Sequence, residues 1–481
     1  MNSMSRAASS EYPIEAMLDE ATGVRVDLVV EDGMGAARLA QRAGRVDRAL
    51  DRWQAARRGA YVPGMAIEFD PITESPSPPS PEDVPAARAG RAGKPATTPD
   101  GRPITFEFVH QFLSNMLEGD FHAKRVLSLA GSALGAIHAA SASIHAIGRA
   151  LAVATRGDAK HATKQVDRLL SNAGINVWTL FSYWVRFVLA DRKEALVAFD
   201  WTDFDADGHA VIAAYLITSH GRATPLVWKT VRKDTLEGHR NEYEDEVLGR
   251  LVETKPEGVK MTILADRGFG DQKLYESLEK SGLHYIIRFR ECIIVSDGKE
   301  TSKPAAEWVP KNGRIKSLQH AKVTADRAEV PVVVLTKAKG MKDAWCLASN
   351  RKDLSGKEIV KYYGKRFTIE ETFRDKKDIH FGMGLSATHI GRCDRRDRLL
   401  FLMAIAHALM TLLGAAGEAV GLDKGLKVNT SKKRQLSLYN QGCYWYSAIP
   451  YLAPERLALL MTKFGEMVAE HQVFTKAFGI L

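Results

Sequence analysis

The chain has 481 residues, of which 45% are hydrophobic and 26% charged, as in soluble globular proteins with about two to four domains. The 67 Lys and Arg residues exceed the 58 Asp and Glu residues and give a formal charge of +9, which favours polyanions or anionic membrane surfaces as partners. The four cysteines are scattered without a CxxC or Cys/His cluster. This pattern argues against a disulfide framework or a structural zinc site and fits a reducing cytosol.

Segments for targeting, membrane insertion or nucleotide binding are not apparent in the sequence. The N-terminus lacks the apolar stretch of a signal peptide. The segment "AGRAGKP" at 89–95 has neither the spacing of a phosphate-binding loop nor a Ser or Thr after Lys94. The longest apolar run, Leu399–Leu413, contains a histidine and is short for a membrane span. We therefore expect a cytoplasmic protein with no membrane partner and no nucleotide cofactor, and a buried core helix at 399–413.

The first hundred residues are expected to form an N-terminal extension and linker, partly disordered, over 1–104. Residues 71–103 hold nine of the 18 prolines, which is typical of a linker. Ahead of it, Ala36–Arg58 resembles an isolated helix with seven arginines and two aspartates. This helix either contacts DNA or presents a solvated face, and we favour the solvated face.

A helical region rich in Ala, Leu and Ser follows at 105–190. Within it, Lys160, Lys164 and Arg168 recur at i, i+4 and i+8, so that one helix carries a basic ridge. Such a ridge is a candidate for contacting DNA phosphates, and a simple solvated ridge is the open alternative. We predict that 105–190 is a helical DNA-binding domain.

From residue 195 the spacing of hydrophobic residues changes from a helical pattern to a strand-like one. Strands are predicted at 195–204, 209–218 and 224–231, joined by short turns, and then at 261–266 and 284–290 with a helix before each. Three antiparallel strands followed by alternating helix and strand predict a mixed α/β sheet. That order is the topology of the ribonuclease H-like fold. Residues 291–350 are strand-like and Lys-rich, and we expect them to form a β-rich insertion.

Two aspartates stand where apolar strands end, and a third carboxylate lies on a later helix. Asp200 follows "ALVAF", Asp266 ends "MTILAD", and Glu370 comes 104 residues after Asp266. Each alone is more often a turn or cap residue, but the shared topology favours a joint site. Oxygen ligands without His or Cys match Mg²⁺ or Mn²⁺, and two such ions about 4 Å apart perform phosphoryl transfer.

The segment Tyr362–Lys377, "YYGKRFTIEETFRDKK", is predicted to be a helix with an unusual face. At 100° per residue, Tyr363, Arg366, Glu370 and Lys377 fall within an arc of about 60°. On this helix alone, a solvated face with i,i+4 ion pairs is an equal alternative.

With these motifs the sequence resembles the DDE transposases of bacterial insertion sequences, in particular the insertion-sequence-4 family. The first motif is "DWT" from Asp200, and the second is "ADRGF" around Asp266. The third is a set of four residues in the predicted helix: a Tyr and an Arg separated by two residues, then a Glu after three more and a Lys after six more. This chain has all four residues at these spacings. The resemblance covers about 105–450.

The resemblance implies catalytic and DNA-binding roles for these residues. The triad Asp200, Asp266 and Glu370 is expected to bind two divalent ions, Mg²⁺ or Mn²⁺, per active site. The Tyr363, Arg366 and Lys377 side chains are expected to contact phosphates of the transposon end.

The resemblance also implies a base-stacking position. Trp345, in "KDAWCLASN", occupies the place of a tryptophan that stacks a flipped base in related enzymes, and a buried core tryptophan is the open alternative. Phe367 stands where some relatives carry Trp.

Other charged residues were weighed against the candidate site. Asp203 would face the opposite side of the strand from Asp200, and Glu371 is offset from Glu370 by about 100° on the helix. Arg288 and its neighbour at 290 are either DNA contacts or a solvent-facing pair. The basic loop at 430–439 is also plausible for DNA, and the histidines at 380 and 389 are expected to be ordinary polar residues.

Taken with the resemblance, the sequence predicts a cut-and-paste DNA transposase that acts on terminal inverted repeats as a homodimer. Its catalytic domain is expected at 191–290 and 351–395, with a helical C-terminal region at 396–481 for dimerisation or DNA contact. The alternatives are a domesticated DNA-binding protein that does not cut, or a metal-dependent nuclease on the same fold. A bacterial, nucleoid-associated location in the cytoplasm follows from the resemblance.

Overall fold

The computed structural model describes residues 18–19, 24–25, 103–117, 121–299, 301–324, 328–378, 383–428, 430–431 and 433–470. In the N-terminal unit, Met1–Ala92, the described residues form two short antiparallel strands, β1 (Leu18–Asp19) and β2 (Val24–Arg25). The predicted arginine-rich helix at 36–58, nearly all of the proline-rich linker and His380 lie outside the described residues. All other described elements belong to the second unit, Gly93–Leu481.

Five helices occupy the region predicted to be helical. They are α1 (Phe106–Met116), α2 (Ala123–Ala139), α3 (Ile144–Thr155), α4 (Ala159–Ser171) and α5 (Val177–Leu189). Side-chain caps start four of them, since the Thr105, Asp158 and Asn176 oxygens and the His122 ring nitrogen accept N–H groups of the first turn. Helix α5 is attached to the neighbouring sheet through Trp184, whose indole N–H donates to the Pro225 carbonyl at 2.7 Å.

The sheet that follows has the strand order of the ribonuclease H-like fold, which confirms the predicted fold class. Its first five strands are β3 (Glu194–Phe204), β4 (His209–Ile217), β5 (Ala223–Arg232), β6 (Lys260–Ala265) and β7 (His284–Phe289). They are arranged β5-β4-β3-β6-β7, with β3, β4 and β5 antiparallel and β3, β6 and β7 parallel. Helices α6 (Arg240–Thr254) and α7 (Gln272–Lys280) make the crossovers.

The β-rich insertion continues this sheet instead of forming a separate one. It contains β8 (Ile294–Ser296), β9 (Ser302–Pro304), the short helix α8 (Ala305–Trp308), β10 (Lys316–Val323), β11 (Ala328–Thr336) and β12 (Trp345–Ser349). Strand β12 pairs antiparallel with β7, and the order beyond it is β11-β10-β8-β9, so the sheet has ten strands. The edge of β7 is thereby covered by backbone hydrogen bonds.

The segment expected to be one helix is two helices joined by a tighter turn. Helix α9 (Gly356–Gly364) begins with a capping box, and α10 (Thr368–Lys377) follows a 3₁₀ turn at Lys365–Phe367. The expectation of a single continuous α-helix was therefore wrong. Arg366 lies within this turn, and Tyr363 lies in the last turn of α9 before it.

The C-terminal helices are α11 (Cys393–Ala419), α12 (Leu438–Ala448) and α13 (Pro454–Ala469). Among the described residues, α11 is the one helix long and apolar enough to cross a membrane, and its apolar stretch is entirely buried by the protein. The predicted core helix is thus confirmed. Helix α12 crosses α11 closely at glycines, since a Cβ on Gly442 would lie 1.7 Å from the Met410 carbonyl oxygen. By contrast, a Cβ on Gly465 of α13 would meet nothing within 4 Å.

A buried arginine joins the amino ends of the central strands. The Arg351 guanidinium is 2% exposed and donates at 2.7 Å to both Glu194 on β3 and Thr262 on β6. It also pairs with Asp353 at 2.8 Å. This network lies at the end of the sheet opposite the carboxyl ends of β3 and β6.

Candidate active site

Parallel pairing of β3 with β6 brings two of the predicted carboxylates to one edge of the sheet. Phe199 of β3 is in register with Ala265 of β6, so the next residues, Asp200 and Asp266, are neighbours. Asp266 directly follows the buried strand β6.

Helix α10 carries the third carboxylate and is attached to strand β5 by polar contacts. The Thr372 hydroxyl accepts the Ala223 N–H at 2.8 Å, and Arg222 forms an ion pair with Asp375 at 2.5 Å. These contacts fix the helix that presents Glu370. No pattern in the sequence predicts these anchors, because they join residues about 150 positions apart and no spacing rule relates them.

Arg366 joins two of the three carboxylates. One terminal nitrogen donates to Asp200 Oδ2 at 2.8 Å and the other donates to Glu370 Oε1 at 2.8 Å. The side chain is 4% exposed, and its carbon Cζ lies 4.9 Å from the centre of the Phe367 ring. Burial alone would lower the pKa of Arg366, but the charges of its neighbours outweigh burial and raise it. The guanidinium is therefore a fixed positive charge between two carboxylates.

Asp200 is held in an environment that disfavours its own charge. Its pKa is raised first by burial, and the nearby Glu370 and Asp266 carboxylates add to this effect. Arg366 and the Trp201 backbone N–H, which donates to Oδ1 at 2.8 Å, act in the opposite direction. An additional cation at this edge would reduce the repulsion among the carboxylates.

Asp266 has a separate set of donors. The Tyr363 hydroxyl donates to Asp266 Oδ1 at 3.2 Å, and a terminal nitrogen of Arg288 lies 3.8 Å from the same oxygen. Arg288 also contacts Asp343 at 3.4 Å and its side chain is 12% exposed, so it faces the protein interior more than solvent. Burial raises the pKa of Tyr363, which keeps the phenol protonated as a donor.

Trp345 and Phe367 form an aromatic cluster beside these residues. The Trp345 ring centre is 4.9 Å from that of Tyr363, edge to face, and 6.2 Å from that of Phe367, stacked. Trp345 is half-buried, whereas Phe367 is 37% exposed. The cluster thus presents part of an aromatic surface to solvent next to the carboxylates.

The other predicted DNA contacts lie away from the three carboxylates. Lys377 donates from Nζ to the Asp203 carbonyl and packs 4.7 Å from the Phe204 ring, and burial lowers its pKa. Lys160, Lys164 and Arg168 are exposed on α4 and make no ion pair with the part of the chain that the structure describes.

The acidic residues set aside in the sequence have other partners. Asp203 lies 3.1 Å from Lys233, the residue that directly follows β5. Glu371 pairs with Arg374, one turn along the same helix, and lies 4.0 Å from Arg222. Neither joins the carboxylates around Arg366.

Glu244 is a buried carboxylate that the sequence analysis did not single out. It accepts the Trp201 indole N–H at 2.7 Å, directly beside Asp200 in the chain, and is 8% exposed. The Arg240 guanidinium lies over the Trp201 ring, 4.9 Å from its centre. Burial raises the pKa of Glu244 to about 6. Its position in the first half of an ordinary amphipathic helix gave no signal of this contact.

The donor set fits a hard divalent cation, although the carboxylates are not arranged around one. Among the described residues, no three His, Cys, Asp or Glu side chains form a group that could hold a metal ion. Arg366 takes the space between Asp200 and Glu370. Three carboxylates without nitrogen or sulfur ligands are the set that Mg²⁺ and Mn²⁺ prefer. A cation here would offset the repulsion from Glu370 and Asp266 that adds to burial in raising the pKa of Asp200.

Comparison with known proteins agrees with this geometry. Residues 191–409 match a family described as the transposase DDE domain. The matched segment starts just before β3, includes the insertion and ends within α11, so it contains all three carboxylates and Arg366. No curated protein matches the chain. On a ribonuclease H-like sheet, this match supports a DDE transposase.

Proposed function

We propose that this chain is a cut-and-paste DNA transposase of the insertion-sequence-4 type. In this proposal it binds terminal inverted repeats, cleaves the ends and joins them to target DNA by two-metal-ion phosphoryl transfer. The observation that carries the proposal is the convergence of carboxylates from three elements, β3, the end of β6 and α10, at one sheet edge. The family match over the same residues supports it.

Asp200, Asp266 and Glu370 are proposed to hold Mg²⁺ or Mn²⁺. When bound, such ions activate an attacking oxygen and stabilise the leaving one. The chain's own groups hold the ligands in place: Tyr363 and Arg288 orient Asp266, and the Trp201 N–H orients Asp200.

The DNA is proposed to lie across the cations and aromatic rings near this edge. Arg366 and Lys377 would contact phosphates, since guanidinium and ammonium groups are suited to phosphate oxygens. Trp345 lies beside the exposed Phe367 and would stack a displaced base. The exposed ridge on α4 at 160, 164 and 168 would contact the DNA backbone.

The domain roles extend the same proposal. Residues 105–190 would bind the transposon end, 191–290 and 351–395 would form the catalytic domain, and 291–350 would be its insertion. The C-terminal region at 396–481 would support a homodimer that pairs two ends. Residues 1–104 would be an extension and linker.

Two other functions would use the same fold. A domesticated protein would bind DNA without cutting it, but loss of a carboxylate is the expected mark of such a protein, and all three are present here. A plain nuclease would cut without joining and would not need the phosphate contacts from α9 and α10.

The deciding experiment uses labelled DNA that carries the inverted repeats flanking the gene, incubated with protein and Mg²⁺ or Mn²⁺. We expect end cleavage and joined products with the wild type and neither with Asp266→Ala, while end binding persists. Asp203→Ala is the matched control, because Asp203 is exposed and pairs with Lys233 outside the site. Cleavage that survives Asp266→Ala would refute the triad. Cutting without joining would indicate the nuclease, and binding without cutting the domesticated protein.

The role of Lys377 has its own test. Lys377→Ala is expected to weaken DNA binding at all sequences and to lower the slope of log affinity against log salt by about one unit. Lys361→Ala, an exposed lysine on α9, is the comparison. A slope unchanged by Lys377→Ala would assign this lysine to its contact with the Asp203 carbonyl alone.

A further inference from the structure

We propose that Arg366 makes metal binding at this site depend on DNA. In the free protein its guanidinium serves as the positive charge between Asp200 and Glu370, and it has to leave before both carboxylates can hold a divalent ion. This inference rests on the proposed function, because it assumes that these carboxylates are metal ligands.

The first observation that supports the proposal is that Arg366 bonds to carboxylate oxygens that a metal ion would need. The oxygens of Asp200 are both occupied, Oδ1 by the Trp201 N–H and Oδ2 by Arg366. Asp266 and Glu370 differ from it, since each receives donors on one oxygen only among the described residues. A metal ion that uses Asp200 Oδ2 therefore competes directly with Arg366.

The second support is the position of the arginine relative to solvent. The Arg366 side chain is 4% exposed, whereas the side chains of Asp200 and Glu370 are 21% and 52% exposed. The guanidinium is thus more deeply buried than the two carboxylates that it binds, and an ion held by the same carboxylates would lie close to it. Two cations at such a distance repel, and the repulsion is strong where water is excluded. Metal affinity of the free protein is expected to be low for this reason.

The third support concerns what releases the arginine. Nε of Arg366 is buried and has no hydrogen-bond partner among the described residues, so one N–H donor of the guanidinium is not used in the present contacts. A DNA phosphate offers several acceptor oxygens and binds a guanidinium through two parallel bonds. Transfer of Arg366 from Asp200 and Glu370 to a phosphate would free both carboxylates at the moment when DNA arrives. By thermodynamic linkage, DNA and metal then raise each other's affinity by the same factor.

The test measures metal binding directly. Full-length protein is titrated with Mn²⁺ alone, and the free ion is followed by its electron paramagnetic resonance signal, for the wild type and Arg366→Gln. We expect Arg366→Gln to bind Mn²⁺ at least about tenfold more tightly than the wild type without DNA. Arg374→Gln is the matched control, since Arg374 lies on the adjoining helix α10, is 57% exposed and pairs with Glu371. It should leave Mn²⁺ binding unchanged.

The second arm adds a duplex that carries the transposon end. Wild-type affinity for Mn²⁺ is expected to rise by at least about tenfold with this duplex, and Arg366→Gln is expected to show a much smaller rise. Equal or weaker Mn²⁺ binding by Arg366→Gln, or an equal rise with DNA in both proteins, would overturn the proposal.

Arg366→Lys covers the case in which the glutamine variant does not fold. An ammonium keeps the charge but lacks the planar guanidinium that spans two carboxylates. A Mn²⁺ affinity of Arg366→Lys that is higher than that of the wild type and lower than that expected of Arg366→Gln supports the proposal. An affinity no higher than the wild type's contradicts it.

Failure of this inference is distinguishable from failure of the proposed function. If the wild type cuts DNA in Mg²⁺ but Mn²⁺ affinity does not respond to Arg366, only the inference is lost. If, with the transposon-end duplex present, Asp266→Ala binds Mn²⁺ as the wild type does and neither protein cuts, the carboxylates are not the metal site, and both proposals fail.

Discussion

Removal of the Thr372 hydroxyl tests how helix α10 is held against the sheet. Thr372 is fully buried, and its hydroxyl accepts the N–H of Ala223, which is also fully buried, at 2.8 Å. Thr372→Val keeps the shape of the side chain and removes this acceptor. A buried donor left unsatisfied costs about 1–3 kcal/mol, which corresponds to a factor of about 5–150 in an equilibrium constant. The unfolding free energy should fall by that amount.

Hydrogen exchange at the Ala223 amide is the direct assay, because this N–H loses its partner. We expect its exchange to accelerate by about 5- to 150-fold in Thr372→Val, and urea denaturation to show the matching loss of stability. Thr368→Val is the control, since in the described part of the chain the Thr368 hydroxyl bonds only to the Lys365 carbonyl one turn away. Unchanged exchange at Ala223 would show that the contact between α10 and β5 does not depend on this bond.

Three further substitutions test other parts of the structure. The raised pKa of Glu244 means that the native state keeps a proton that the unfolded chain releases between pH about 4.5 and 6. The stability of the wild type relative to Glu244→Gln should therefore fall by about 2 kcal/mol across that window, and a constant difference in urea titrations would contradict this. Arg351→Ala should cost about 1–3 kcal/mol because it leaves the buried Thr262 hydroxyl without its donor, whereas Arg232→Ala, which breaks an exposed pair, should cost less than about 1 kcal/mol; equal losses would refute the assignment. In thermal unfolding, Gly442→Ala should destabilise by about 1–3 kcal/mol or more, and Gly465→Ala should stabilise by about 0.5–1 kcal/mol; similar effects of both would argue against the close helix crossing.

The fold class was predictable because local patterns carry it. The apolar stretches "ALVAF" and "MTILA", which lead into Asp200 and Asp266, mark the central strands, although β3 continues past Asp200 to Phe204. Alternation of strand and helix after β5 fixes a parallel connection. Once β3 and β6 are parallel neighbours, the two aspartates have to meet at one edge. That step needs no knowledge of side-chain packing.

The remaining contacts of the site were not predictable, because they join residues that are distant in sequence. Strand β12 adds to β7 across the whole insertion, so its register depends on pairing over about 60 residues. The contact of Glu244 with Trp201 spans 43 residues, and it involves a glutamate that periodicity places on an ordinary helix. Periodicity also predicted one helix where a 3₁₀ turn intervenes at Lys365–Phe367. Each outcome is decided by packing, which single-residue spacing does not describe.

The 3₁₀ turn between α9 and α10 explains how one short segment serves carboxylates on two strands. Tyr363, in the last turn of α9, reaches Asp266, and Arg366, within the turn, reaches Asp200 and Glu370. The phenol is a neutral donor, so it orients Asp266 without supplying positive charge, whereas the guanidinium neutralises the carboxylates that it binds. Only the second contact competes with a cation. The contact of Tyr363 with Asp266 is therefore compatible with a bound metal. In the proposal, Arg366 has to leave Asp200 and bind a phosphate before Asp200 can become a ligand.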